Sequence, residues 1–126
     1  MPEEPTVLVA DDEAIVVNVV TVVLRKAGFR VLAATGGKQA LELVRASEEP
    51  VSLAILDMDM PEINGPQLFI RLREIYPQMR ALFMSGHNLP PASVPAGCDF
   101  VNKPFTASEF LRRVRQAADR PFIQSA

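Results

Sequence analysis

Five residues of this chain combine into one chemistry: the adjacent carboxylates Asp11 and Asp12, the carboxylate Asp57, the hydroxyl of Ser85 and the ammonium of Lys103. Three carboxylates brought together repel one another unless some are protonated or a cation joins them. An all-oxygen ligand set selects a hard cation, most simply Mg2+. Such an ion attracts a phosphoryl group and neutralises its charge during transfer. Lys103 adds a second positive charge, and Ser85 can donate a hydrogen bond to a phosphoryl oxygen. A carboxylate facing such a group is a competent nucleophile and forms an aspartyl phosphate. Each residue also has a plainer reading. Asp12 caps a helix, Asp57 serves a turn, Ser85-Gly86 opens a loop, and Lys103-Pro104 is a solvated pair. The set rises above those readings because of where its members fall.

Each member follows a short apolar run. Residues 6–10 stop at Asp11, residues 53–56 at Asp57, residues 81–84 at Ser85 and residues 99–102 at Lys103. A further run, residues 29–34, follows Gly28, which stops the preceding helix. The runs are continuous rather than alternating, as parallel strands covered on both faces require. Amphipathic stretches lie between them. Residues 37–48 carry Ala40, Leu41 and Val44 on one side. Residues 66–76 open on Pro66 and carry Leu68, Phe69 and Leu72. Residues 106–118 open on Thr106-Ala107-Ser108-Glu109, a capping box, and carry Phe110, Val114 and Ala117. The valine-rich residues 14–27 favour a strand by propensity but are too long for one. With Asp12 as cap and Gly28 as stop they are predicted to be a helix. Val16, Val20 and Val23 are expected to face the core, and Ile15, Val19 and Val22 the opposite side. Strand–helix alternation predicts an α/β fold with right-handed crossovers. In such sheets function sits beyond the carboxyl ends of the strands, where all five residues would gather.

Composition narrows the class. The 126 residues suit a single domain, with a core over about residues 6–119. The chain is 48% hydrophobic and 22% charged, which argues for a folded core. A net charge of -2 gives no bulk electrostatic case for nucleic acid or an anionic membrane. The single cysteine, Cys98, excludes an internal disulfide, and a reducing, cytoplasmic location is expected. The most apolar stretch, residues 14–24, is too short to span a bilayer, and the acidic start lacks a secretion pattern.

The motifs Val7-Leu8-Val9-Ala10-Asp11-Asp12-Glu13, Leu53-Ala54-Ile55-Leu56-Asp57-Met58-Asp59-Met60-Pro61 with Gly65, Met84-Ser85-Gly86 and Phe100-Val101-Asn102-Lys103-Pro104-Phe105 stand in this order. Over nearly its whole length the chain resembles a two-component response-regulator receiver domain. The resemblance implies a flavodoxin-like three-layer sandwich around a five-stranded parallel sheet of order 2-1-3-4-5. It implies that Asp57 accepts a phosphoryl group from a phosphohistidine. Asp11, Asp12, Asp57 and the backbone carbonyl of Asp59 would hold Mg2+. Lys103 would pair with the phosphoryl group, Ser85 would sense it, and Phe100 would be the aromatic switch. The Lys103-Pro104 bond is expected to be cis. The implied partner is a sensor histidine kinase or a phosphotransfer domain, met through the first helix and the loop after the fifth strand. Ile15, Val19 and Val22 are then docking candidates, because an exposed apolar patch marks an interface. The wording around residues 83–87 and 103–106 resembles receivers at the end of hybrid sensor kinases, and a free-standing regulator suits the chain equally.

Two further expectations concern rate and output. Asp59 and His87 lie two residues beyond Asp57 and Ser85, and are candidates for setting the lifetime of the phosphoryl group. Asp59 either orients the attacking water or repels it. In a typical receiver the segment between the Ser or Thr and the Lys holds a full fourth helix; here that segment, 86–98, is shorter than usual by about one helical turn and carries Pro90, Pro91 and Pro95. That helix is predicted to be absent or cut to one turn, leaving Phe100 less to pack against and the protein a monomer or weak dimer. Two rival functions remain. Asp57-Met58-Asp59 also resembles the nucleophile motif of haloacid-dehalogenase-like phosphatases, whose acidic pair comes last in the chain rather than first. A pseudo-receiver that only binds protein is the other, and the intact Asp12, Asp57 and Lys103 set speaks against it.

Overall fold

The computed structural model describes residues 5–86 and 94–119. In chain order the elements are β1 (Thr6–Ala10), α1 (Ala14–Lys26), β2 (Arg30–Ala34), α2 (Gly37–Ala46), β3 (Val51–Asp57), α3 (Gly65–Ile75), β4 (Arg80–Ser85), β5 (Asp99–Asn102) and α4 (Ala107–Asp119). All strand pairs are parallel, and the order is β2-β1-β3-β4-β5. This is the expected flavodoxin-like sheet. β1 and β5 have the predicted ends, while β3 and β4 extend beyond the apolar runs that announced them.

The continuous apolar strands feed two cores. Leu8, Ala10, Ala54, Leu56, Ala81 and Phe83 point to one face, where they meet α2 and α3. Val7, Val9, Leu53, Ile55, Leu82, Met84 and Val101 point to the other, where they meet α1 and α4. Alternating side chains on a sheet with two covered faces leave polar residues only toward the strand ends. Phe69 and Phe83 meet edge to face at 5.9 Å, and Phe105 stacks on Phe110 at 4.9 Å. Both separations lie within the favourable aromatic range.

The inward residues predicted for α2, α3 and α4 are the buried ones. α1 departs from its prediction. Its buried line is Val17, Val20, Thr21 and Leu24, whereas Val16 and Val23 are only half-buried. A stretch with valine on every side has no polar face to set its phase, so packing on the sheet sets it instead. Ile15, Val19 and Val22 do face outward, at 78%, 55% and 52% exposure. The cap also differs: the N-cap residue is Glu13 rather than Asp12, and no side chain caps there. Thr106 does cap α4, accepting from the Glu109 N–H at 3.1 Å. The capping box at the start of α3 was not anticipated. Asn64 and Gln67 bond each other's backbone N–H groups at the start of α3.

Among the described residues no helix lies between β4 and β5. Residues 94–98 end in a turn in which the Cys98 N–H donates to the Pro95 carbonyl. The prolines Pro90 and Pro91, His87 and the rest of 87–93, on which the short-helix expectation also rests, lie outside the described residues. No helix among those described is long and apolar enough to cross a membrane.

Gly65 sets how closely α3 approaches the end of β3. A Cβ there would lie 2.4 Å from the Asp57 carbonyl oxygen and 3.1 Å from its carbon, both backbone atoms that cannot step aside. The Gly65 N–H also donates to the Met58 carbonyl at 3.1 Å. Gly65→Ala must therefore push α3 off the sheet or distort the turn after Asp57. The expected cost is about 1–3 kcal/mol, read as a lower urea midpoint at unchanged slope. An unchanged midpoint would contradict this close approach.

Candidate functional site

The register of the sheet brings the five residues to one edge. Ala10 pairs with Leu56, Asp57 with Met84, and Ser85 with Asn102, so β1, β3, β4 and β5 end side by side. Two backbone bonds tie the loops beyond those ends. Met58 N–H donates to the Met84 carbonyl at 2.9 Å, and Lys103 N–H to the Ser85 carbonyl at 2.6 Å. The Lys103-Pro104 peptide is cis.

Asp11, Asp57 and Ser85 are buried, whereas Asp12 and Asp59 are exposed. Asp11, Asp12 and Asp57 each offer an oxygen within 4.8 Å of the other two. The Asp11 carboxylate is oriented by the Glu13 N–H, which donates to Oδ1 at 2.8 Å. Lys103 Nζ reaches into this ring, lying 2.7 Å from Asp11 Oδ2, 3.3 Å from Glu13 Oε1 and 3.5 Å from Asp57 Oδ1. Lys103 pairs with the buried Asp11 Oδ2, and a carboxylate oxygen has two lone pairs, so capacity for a further partner remains. That oxygen, with the two neighbouring carboxylates, suits a hard divalent cation. Asp11, Asp12 and Asp57 could hold one.

The charges are unbalanced without it. Burial, then the negative charge of Asp11, pushes the Asp57 carboxyl up to about 7; Lys103 and the Asp59 N–H only partly oppose this. Burial would lower Lys103, but the Asp11 hydrogen bond and charge, the charge of Asp57 and the Glu13 contact outweigh it and raise it.

Glu13 is the residue to which the sequence reading assigned no role. Its position beside Asp11-Asp12 was visible, but its reach to Lys103 depends on the crossing from β1 to the end of β5. Phe100 is half-buried, packed with the core under α2 and α3. His87 lies outside the described residues. The Asp59 side chain stands exposed at the rim, while its N–H approaches Asp57 Oδ1 at 3.5 Å. Next to the acidic edge, an open groove of about 450 Å³ is lined by Ile15, Val16, Val19, Val20, Pro104 and Phe105, with Glu13 and Lys103 at its polar end. Ile15 and Val19 thus join the loop after β5 in one surface, and Val22 continues the exposed row along α1.

The raised Asp57 carboxyl has a consequence for stability. The folded protein holds this proton up to about pH 7, while an unfolded aspartate releases it near 3.8. The folded state therefore binds more protons in that interval, and this group lowers stability as pH rises through it. In chelator, the wild type should lose more stability between pH 4 and 7 than Asp57→Asn does. Mg2+ should restore it most strongly above pH 7. Equal pH slopes for the two proteins in thermal melts would contradict the shift.

Residues 7–115 match the response regulator receiver domain family. The response regulator GtcR of Aneurinibacillus migulanus is 31% identical over 121 residues, covering 93% of this chain and 49% of GtcR. The response regulator receiver protein CpdR of Brucella abortus is 30% identical over 114 residues, covering 87% of this chain and 93% of CpdR. Of several other curated relatives the chain spans only 13–25% of the length. A response regulator receiver protein from Sinorhizobium medicae superposes with a TM-score of 0.80 at 32% identity, covering 93% of this chain and 96% of that one. The family match, the sheet order and the acidic edge agree, and the chain belongs to the response regulator receiver domain family.

Proposed function

We propose that this chain is a phosphoacceptor in a phosphorelay, taking a phosphoryl group from a phosphohistidine onto Asp57 in the presence of Mg2+. The observation that supports it most is the position of the Asp57 carboxylate. It ends β3 inside the ring of Asp11 and Asp12, with the Lys103 ammonium 3.5 Å away. An Asp57 oxygen attacks phosphorus, the P–N bond of the donor breaks, and the imidazole nitrogen leaves with the electron pair and takes up a proton. Bound at Asp11, Asp12, Asp57 and the Asp59 carbonyl, Mg2+ would keep Asp57 ionised and offset the phosphoryl charge. Lys103 supplies a mobile cation for a phosphoryl oxygen. The Ser85 hydroxyl, buried at the end of β4, supplies a neutral donor. Phe100, paired with Phe83 in the register, would be the aromatic residue that responds.

Incubation with acetyl phosphate and Mg2+ should add one phosphoryl mass to the wild type and none to Asp57→Asn, since an amide is a poor nucleophile. Asp12→Ala should lose most of the modification, whereas Lys103→Ala should still accept the group. Asp57→Asn modified to the wild-type extent would overturn the assignment.

The donor should dock on the groove beside α1. Ile15→Asp puts a charge at its most exposed apolar position. It should slow transfer from a phosphorylated histidine kinase by roughly ten-fold while leaving acetyl phosphate labelling intact. Equal loss of both would point to damage to the fold, and no loss of either would remove the groove from docking.

A further inference from the structure

Lys103 is shared among three carboxylates, and one of them stands outside the acid ring. Glu13 occupies the N-cap position of α1, yet its side chain caps nothing and no acidic residue follows in the first turn. Its carboxylate crosses instead to the loop after β5 and meets Lys103 Nζ at 3.3 Å. The Glu13 side chain is 64% exposed, against 0% for Asp11 and 6% for Asp57. It therefore forms the mouth of the site. Of the three partners Asp57 is the farthest from the ammonium, at 3.5 Å.

We propose that Glu13 is a positioning residue for Lys103, holding the ammonium at the mouth and restraining its move toward a phosphoryl group on Asp57. This rests on reading Asp57 as the phosphoacceptor. An ammonium has three protons to donate, and here Asp11, Glu13 and Asp57 compete for them. A phosphoryl oxygen arriving at Asp57 must draw the ammonium away from the other two. Asp11 is buried and fixed by the Glu13 N–H, so the Glu13 side chain is the adjustable competitor. Loss of its contact frees the ammonium to pair with the phosphoryl group as it transfers. Water screens so exposed a pair, which limits the effect to about two- to five-fold.

Two substitutions separate reach from charge. Glu13→Gln keeps the length and removes the charge. Glu13→Asp keeps the charge but is one methylene too short for the Lys103 contact. Labelling rates with acetyl phosphate, Mg2+ and constant ionic strength are read by intact mass on the full chain. Both variants should be labelled about two- to five-fold faster than the wild type. On a Lys103→Ala background, Glu13→Gln should give no acceleration, as a double-mutant cycle requires of a residue acting through Lys103. Glu13→Asp at the wild-type rate would overturn the proposal, because the carboxylate would then act on the anionic donor directly. So would unchanged or slower labelling of Glu13→Gln, or an acceleration that persists without Lys103. Failure of the wild type to be labelled, or equal labelling of Asp57→Asn, would instead defeat the phosphoacceptor reading itself.

Discussion

Lys103 is where the opposing charges of this protein are reconciled. Asp11 and Asp57 end neighbouring strands and are both buried, so their negative charges face each other with little water between them. At an effective dielectric of about 20, two such charges a few ångströms apart repel by several kcal/mol. The ammonium of Lys103, anchored by its own N–H to the Ser85 carbonyl, reaches between them and relieves part of that repulsion. Burial first, and then what is left of that repulsion, keeps the Asp57 carboxyl raised. An edge with three carboxylates gathered around one ammonium suits a hard cation.

The fold exists in service of that edge. Two apolar layers bury both faces of the sheet, and the strands end in register, so carboxylates of β1 and β3 meet. Backbone ties from Met58 to Met84 and from Lys103 to Ser85 hold the loops beyond the strands at a common height. Gly65 lets α3 close on the Asp57 carbonyl. The strain of gathering like charges is borne by hydrophobic burial elsewhere, as is usual where chemistry and stability conflict.

The same edge opens onto an apolar groove. Glu13 and Lys103 belong both to the ion cluster and to the polar end of that groove. The proposed donor surface and the proposed phosphoacceptor site thus share two side chains. α1 keeps Ile15, Val19 and Val22 exposed although the core would accept such residues, as the proposed docking surface would require.

Much of this was legible in the residues. Continuous apolar runs marked the strands, each ended at a residue able to do chemistry, and alternation with amphipathic stretches implied a parallel sheet whose carboxyl edge gathers them. The sequence by itself therefore determined the fold class, the acid ring and Lys103, because strand ends and residue types are local facts. It did not determine the phase of α1. Valine on every side makes several rotations nearly equivalent, and only contact with the sheet selected Val17, Val20, Thr21 and Leu24. Nor did it single out Glu13. A glutamate after two aspartates reads as one more solvated acid until the β5 loop brings Lys103 within 3.3 Å of it. Periodicity and motif report what a residue is and which element it ends; the distance between side chains ninety positions apart is decided by how the elements pack.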